Sequence, residues 1–154
     1  METTKVEMKE GKRILYTGKT TTVGGRDGGS SVSSDGRLNI RLATPGTAQE
    51  GTAQEGTNPE QLFAAGWSAC FIGALKLTAA KMKVRFPENG AVDAEVDLVL
   101  TGDQYSLRAR LHVTLPGVDG DIAKALVETA HATCPYSKAT RGNIDVAISI
   151  HTDL

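Results

Sequence analysis

The period of the apolar positions changes several times along the chain, and each change predicts an element. Residues 13–23 (RILYTGKTTTV) mix Thr, Tyr and Ile with roughly alternating polarity and predict a strand. Gly24 to Gly29 then predicts a turn. Residues 31–34 and 37–42 flank Asp35-Gly36, a dipeptide suited to the positive φ of a tight hairpin. From Asn58 the pattern becomes helical: Asn58 as N-cap, Pro59 at the first helical position, Glu60 in the first turn and Gln61 at the capping-box position. This helix is expected to run to about Lys83. Between Leu62 and Ala80 it has almost no polar face, so it must be covered on all sides, by its own domain or by a second subunit.

Residues 91–101 and 105–115 both alternate, joined by Gly102-Asp103-Gln104, and predict a hairpin. Asp121 is the expected N-cap of a second helix, whose apolar stripe (Ile122, Ala125, Leu126, Thr129, Ala130, Thr133) runs up to Cys134. Pro135 kinks or restarts it. Residues 144–151 alternate as a last strand. The order β-β-β-α-β-β-α-β is that of an α+β fold. A chain of 154 residues suits a single domain over 1–154. Its expected appendages are a polar tail at 1–12 and an extended surface loop at 45–57, where GTAQE occurs twice in tandem.

Composition removes several functions. The 17 basic and 18 acidic residues leave a formal charge of -1, so nothing steers the protein toward nucleic acid or an anionic membrane. The longest run without charge, 61–75, is shorter than the ~20 apolar residues of a membrane span. The first residues lack the apolar core of a secretory signal, and a cytoplasmic protein is expected. A reducing cytosol would keep an ordinary cysteine pair reduced, so the two cysteines call for another explanation.

Cys70 lies mid-helix among apolar neighbours and reads equally as a small core residue or as a nucleophile. Burial alone would raise its pKa, so a reactive Cys70 needs a cation brought to it. Arg26, in the glycine-rich GGRDGG, can supply one; a solvated turn arginine is the plainer reading. Glu60 can orient that arginine, or simply answer the helix dipole. On a continuous helix Glu60 and Cys70 are ~15 Å apart. If the three act together, either the helix is interrupted before Cys70, or Arg26 and Glu60 come from a neighbouring subunit. Cys134 is too far along the chain from Cys70 for spacing to say whether they meet. His131 with both cysteines would lack a fourth zinc ligand, and is expected as a surface helix residue.

Three segments acquire meaning together. GGRDG after the N-terminal strand, GTNPEQLFAAGWSACF on the apolar helix and CPYSKATRGNIDV before the last strand closely resemble the organic hydroperoxide resistance proteins, the Ohr branch of the OsmC/Ohr family. The resemblance covers nearly the whole chain. It implies an intertwined homodimer with buried central helices and active sites near the subunit interface. It also implies that Cys70 is the peroxidatic cysteine, Cys134 the resolving cysteine, Arg26 the active-site arginine and Glu60 the glutamate that positions it. Trp67-Ser68 and Lys138 depart from the family's usual residues, as does the GTAQE duplication, which bears on substrate preference.

The expected activity is thiol-dependent reduction of alkyl or lipid-derived hydroperoxides through a Cys70 sulfenic acid and a Cys70–Cys134 disulfide. The resemblance implies an external dithiol reductant, dihydrolipoamide or a lipoylated protein, with no bound cofactor and no metal. Apolar neighbours of Cys70, Phe71 and Trp67 among them, are expected to favour peroxides with alkyl tails. The alternatives are an OsmC-type peroxidase with another peroxide preference, and a non-catalytic redox-sensing or ligand-binding protein.

Overall fold

The structure is a computed structural model that describes residues 11–46 and 55–153. The tail and the repeat-bearing loop fall largely outside the described residues. Two compact units meet in sequence between Thr57 and Asn58.

In the first unit, β1 (Thr20–Gly25), β2 (Gly28–Ser33) and β3 (Asn39–Ala43) form an antiparallel sheet in that order. Only Arg26 and Asp27 lie outside the strands at the first turn, and the surrounding glycines belong to the ladder, with Gly24 opposite Gly29. A Cβ on Gly24 would fall on the carbonyl oxygen of Gly28, and one on Gly29 on that of Val23. The strands therefore approach more closely than side chains allow, which is why glycines stand inside them and not only in the turn. The first strand starts at Thr20, not at Arg13. Ile14, Leu15 and Tyr16 are 64%, 82% and 81% exposed, so that stretch buries no face of its alternating pattern. Thr57 returns beside β3, exchanging backbone hydrogen bonds with Arg41 and Ala43.

The second unit holds α1 (Pro59–Lys81), β4 (Ala91–Thr101), β5 (Gln104–Thr114), α2 (Gly120–Thr133), α3 (Pro135–Thr140) and β6 (Asp145–His151). β4 and β5 are antiparallel; β5 and β6 are parallel, a pairing that requires a crossover, and α2 and α3 provide it. Alternation sorts the sheet except at the far end of β4, where Leu98 and Leu100 are 45% and 59% exposed. Ala109, Leu111 and Val113 pack with Trp67, Phe71 and Leu75 of α1 and with Leu126, Val127 and Ala130 of α2, forming the core. The other face is a lattice of charge: Arg110 donates to Asp97 at 2.7 and 2.8 Å and to Glu95, and Arg108 donates to Asp97 at 3.1 Å.

Asn58 caps α1 as expected, its Oδ1 accepting from the Gln61 N–H at 2.9 Å. The helix closes with Lys83 at φ 57, a left-handed position usually given to glycine, and the Val84 N–H returns to the Ala79 carbonyl. By length and composition α1 could cross a membrane. Its Trp67–Phe71–Leu75 row is nevertheless in the core, while the opposite row, Ala65, Ala69, Gly73 and Leu77, stays exposed. The cap of α2 is Asp119 and not Asp121: its carboxylate accepts from the N–H groups of Asp121 and Ile122. Asp121 is the acid of the first turn.

Candidate active site

The site grows from a break between two helices. A residue preceding proline avoids the helical region, and Cys134, before Pro135, takes φ -59, ψ 124. It thereby ends one helix and starts another: its N–H donates to Ala130 at 2.7 Å and its carbonyl accepts from Lys138 at 2.9 Å. Pro135 restarts the helix as the separate α3.

This junction packs against α1, where Cys70 lies. The Cys134 and Cys70 sulfurs lie 3.4 Å apart, within hydrogen-bond reach; both are free thiols, Cys134 fully buried and Cys70 half-buried. The Tyr136 backbone N–H also reaches the Cys70 sulfur. One turn away from each cysteine, the Trp67 indole N–H donates to Ser137 Oγ at 3.2 Å, with both side chains at zero exposure. Phe63 meets Trp67 edge-on at 5.7 Å and Tyr136 at 6.5 Å. The Tyr136 ring lies over Gly66, where a Cβ would stand 3.1 Å from it.

Burial pushes the Cys70 thiol pKa up, and the neighbouring Cys134 adds to the rise. The Tyr136 N–H acts in the opposite direction but is outweighed. In this setting Cys70 rests as a thiol.

Trp67 and Phe71 are both inaccessible, so neither can face a substrate as expected from the sequence. Of the described rings beside the two cysteines, Phe63 and Tyr136 have accessible surface. His131, expected as a surface helix residue, is only partly exposed. It packs beside Phe71, its Nδ1 is buried without a hydrogen-bond partner among the described residues, and burial, reinforced by the Arg141 charge, lowers its pKa. A groove of about 480 Å³ beside it, lined by Lys124, Val127, Glu128, Ile148 and Ile150, contains neither cysteine.

The OsmC-like protein family model matches residues 50–149, a span that contains both cysteines. The chain belongs to the OsmC/Ohr family. Across this family its relatives include an organic hydroperoxide resistance protein of Xanthomonas axonopodis pv. citri, 43% identical over 93% of this chain and 99% of that one. Another is the organic hydroperoxide resistance protein OhrA of Bacillus subtilis, 45% identical over 88% of this chain and 96% of that one. The crystal structure of OhrB of Bacillus subtilis superposes with a TM-score of 0.81 at 40% identity, covering 89% of this chain and 99% of that one. The α+β architecture is thus that of Ohr proteins, and organic hydroperoxide resistance is the function attached to the relatives.

Of the four site residues expected in this OsmC/Ohr chain, the structure brings Cys70 and Cys134 together. Arg26 stands exposed in the β1–β2 turn of the first unit, and Glu60 is the second residue of α1. The unbroken α1 closes one of the two routes left open by the sequence: no interruption brings Glu60 back toward Cys70. The sequence reading missed Tyr136 and Ser137. Pro135 was the available signal, because a proline at the start of α3 fixes which residues follow the cysteine on that helix.

Proposed function

We propose that this protein is a cysteine peroxidase that reduces organic hydroperoxides, with Cys70 as the attacking and Cys134 as the resolving cysteine. The observation that carries this reading is the 3.4 Å contact between two free thiols at a helix junction, in a chain whose relatives are organic hydroperoxide resistance proteins. The Cys70 thiolate attacks the distal peroxide oxygen; the O–O bond breaks, the alkoxide takes a proton and leaves as alcohol, and Cys70 becomes a sulfenic acid. Cys134 sulfur then attacks the sulfenic sulfur. The S–S bond forms, the S–O bond breaks and the hydroxyl leaves with the Cys134 proton as water. A disulfide is about 2.05 Å long, so the sulfurs close by about 1.4 Å from their separation of 3.4 Å. A dihydrolipoyl dithiol, free or on a lipoylated protein, returns both thiols.

Because burial raises the Cys70 pKa, the thiolate needs a cation. We assign that role to Arg26, oriented by Glu60, both supplied by the second copy in a homodimer. The exposed apolar row of α1 supports such a dimer, since an apolar helix face left in water is unfavourable.

Turnover with dihydrolipoamide as reductant tests the proposal. Cumene hydroperoxide should be consumed much faster than hydrogen peroxide, and Cys70→Ser should abolish consumption. Preference for hydrogen peroxide would favour the OsmC-type alternative; no consumption of either would favour a redox sensor or a binding protein.

A further inference from the structure

Beside the sulfur pair runs a second tie between the same two elements. Trp67 precedes Cys70 by one turn of α1, Ser137 follows Cys134 by one turn of α3, and the indole N–H donates to the hydroxyl at 3.2 Å in a place with no accessible surface. A buried polar pair of this kind is costly to leave unmade, because neither group can turn to water instead. α3 is only six residues long and begins at the Cys134 junction, so this bond fixes where α3, and with it Cys134, stands against α1.

We propose that Trp67 and Ser137 are positioning residues for disulfide closure, holding Cys134 opposite Cys70 so that the two sulfurs join faster than Cys70 is oxidised further. This rests on the reading of Cys70 and Cys134 as a redox pair. Neither residue touches the peroxide. Their effect falls on the competition after the first oxidation, in which Cys134 sulfur displaces hydroxyl from the Cys70 sulfenic acid. In the competing reaction a second hydroperoxide transfers its distal oxygen to that sulfur, giving a sulfinic acid and an alcohol.

Trp67→Phe keeps one aromatic ring and removes the donor together with the rest of the indole; Ser137→Ala removes the acceptor with little change in volume. A buried hydrogen bond of ordinary strength is worth about 0.5–1.5 kcal/mol, or roughly two- to tenfold in an equilibrium. In dithiothreitol redox buffers, each variant should shift the Cys70–Cys134 equilibrium toward the dithiol by about fivefold, a tenfold change being ~30 mV. The double variant should shift it no further than the singles, because one bond is lost in all three. With excess cumene hydroperoxide, the sulfinic fraction by intact mass should rise several-fold in each. A merely structural contact would lower the melting temperature of dithiol and disulfide forms alike and leave the redox equilibrium unmoved.

Wild-type equilibrium constants in both single variants overturn the proposal, as do additive shifts in the double variant. The redox titration uses no peroxide. A wild-type pair that closes in dithiothreitol buffers but ignores cumene hydroperoxide would therefore refute the peroxidase reading alone.

Discussion

Gly73→Leu separates two accounts of α1, because they give opposite signs. Gly73 lies in the exposed row with Ala65, Ala69 and Leu77, and a Cβ added there meets no atom of the described residues within 4 Å. Within a single chain only helix propensity changes. Glycine inside a helix is about 0.8–1.0 kcal/mol worse than alanine and leucine is nearly as good as alanine, so the variant should gain roughly 0.8 kcal/mol. For a chain of this size that raises the melting temperature by about 2–3 °C. If a second copy covers the row, the same side chain is forced into a packed interface, where overpacking costs about 1–3 kcal/mol at each insertion, and each copy carries one. The proposed dimer therefore predicts a lower melting temperature, more dependent on protein concentration, and a shift toward monomer by light scattering at micromolar concentration. A Gly73→Leu protein that melts higher than wild type, with its mass by light scattering unchanged, would refute the covered helix.

Three further outcomes follow from the site and the fold. Arg26→Ala should slow the reaction of Cys70 with cumene hydroperoxide by about 10²–10³-fold, the usual effect of removing a preorganised electrostatic partner; a stopped-flow rate within about threefold of wild type would remove Arg26 from the mechanism. His131 takes up a proton less readily in the folded than in the unfolded chain, because burial and the Arg141 charge lower its pKa from the ordinary 6.5. Stability should thus fall as pH drops below about 6.5, and denaturant midpoints at about pH 7.5 and 5.5 should converge in His131→Leu; an unchanged gap would show that the imidazole is not responsible. Gly29→Ala places a Cβ against the Val23 carbonyl at φ 148 and should cost about 2–3 kcal/mol in thermal unfolding, whereas an unchanged melting temperature would mean that the first sheet yields freely.

The sequence was most legible where one physical rule acted alone. Alternation located β4 and β5, and the Asn58–Gln61 capping pattern placed the start of α1, because each depends on local chemistry. It was less legible where partners decide. Residues 13–19 have strand-like composition, yet Ile14, Leu15 and Tyr16 are exposed; strand propensity expresses fit to a half-buried surface, and that stretch of the chain has none. The glycines at 24–29 predicted a turn, which the structure confines to Arg26 and Asp27, whereas Gly24 and Gly29 are required by a close approach of two strands that only the register reveals. The shift of the α2 cap to Asp119 is of the same kind, since two aspartates in neighbouring positions compete and backbone geometry chooses.

The site divides similarly. The chemistry of Cys70 and Cys134 came from recognisable segments, but their proximity did not, because it depends on the crossover that makes β5 and β6 parallel and returns α3 to α1. Tyr136 and Ser137 have ordinary residue types; their importance comes from a proline that fixes helix phase and from a tryptophan on another element. Trp67 and Phe71 suggested a substrate wall by being aromatic near a cysteine, yet large rings on a helix between sheet and helix are more effectively used as core.

We propose above all that Cys70 and Cys134 form one redox pair in which Cys70 reacts first. Intact-mass analysis of the fully reduced protein after one equivalent of cumene hydroperoxide tests it directly, with Cys70→Ser and Cys134→Ser alongside. Loss of two hydrogens is expected in wild type, an oxygen-bearing adduct in Cys134→Ser and no change in Cys70→Ser. An unchanged wild-type mass, or oxidation of Cys134 when Cys70 is absent, would contradict it.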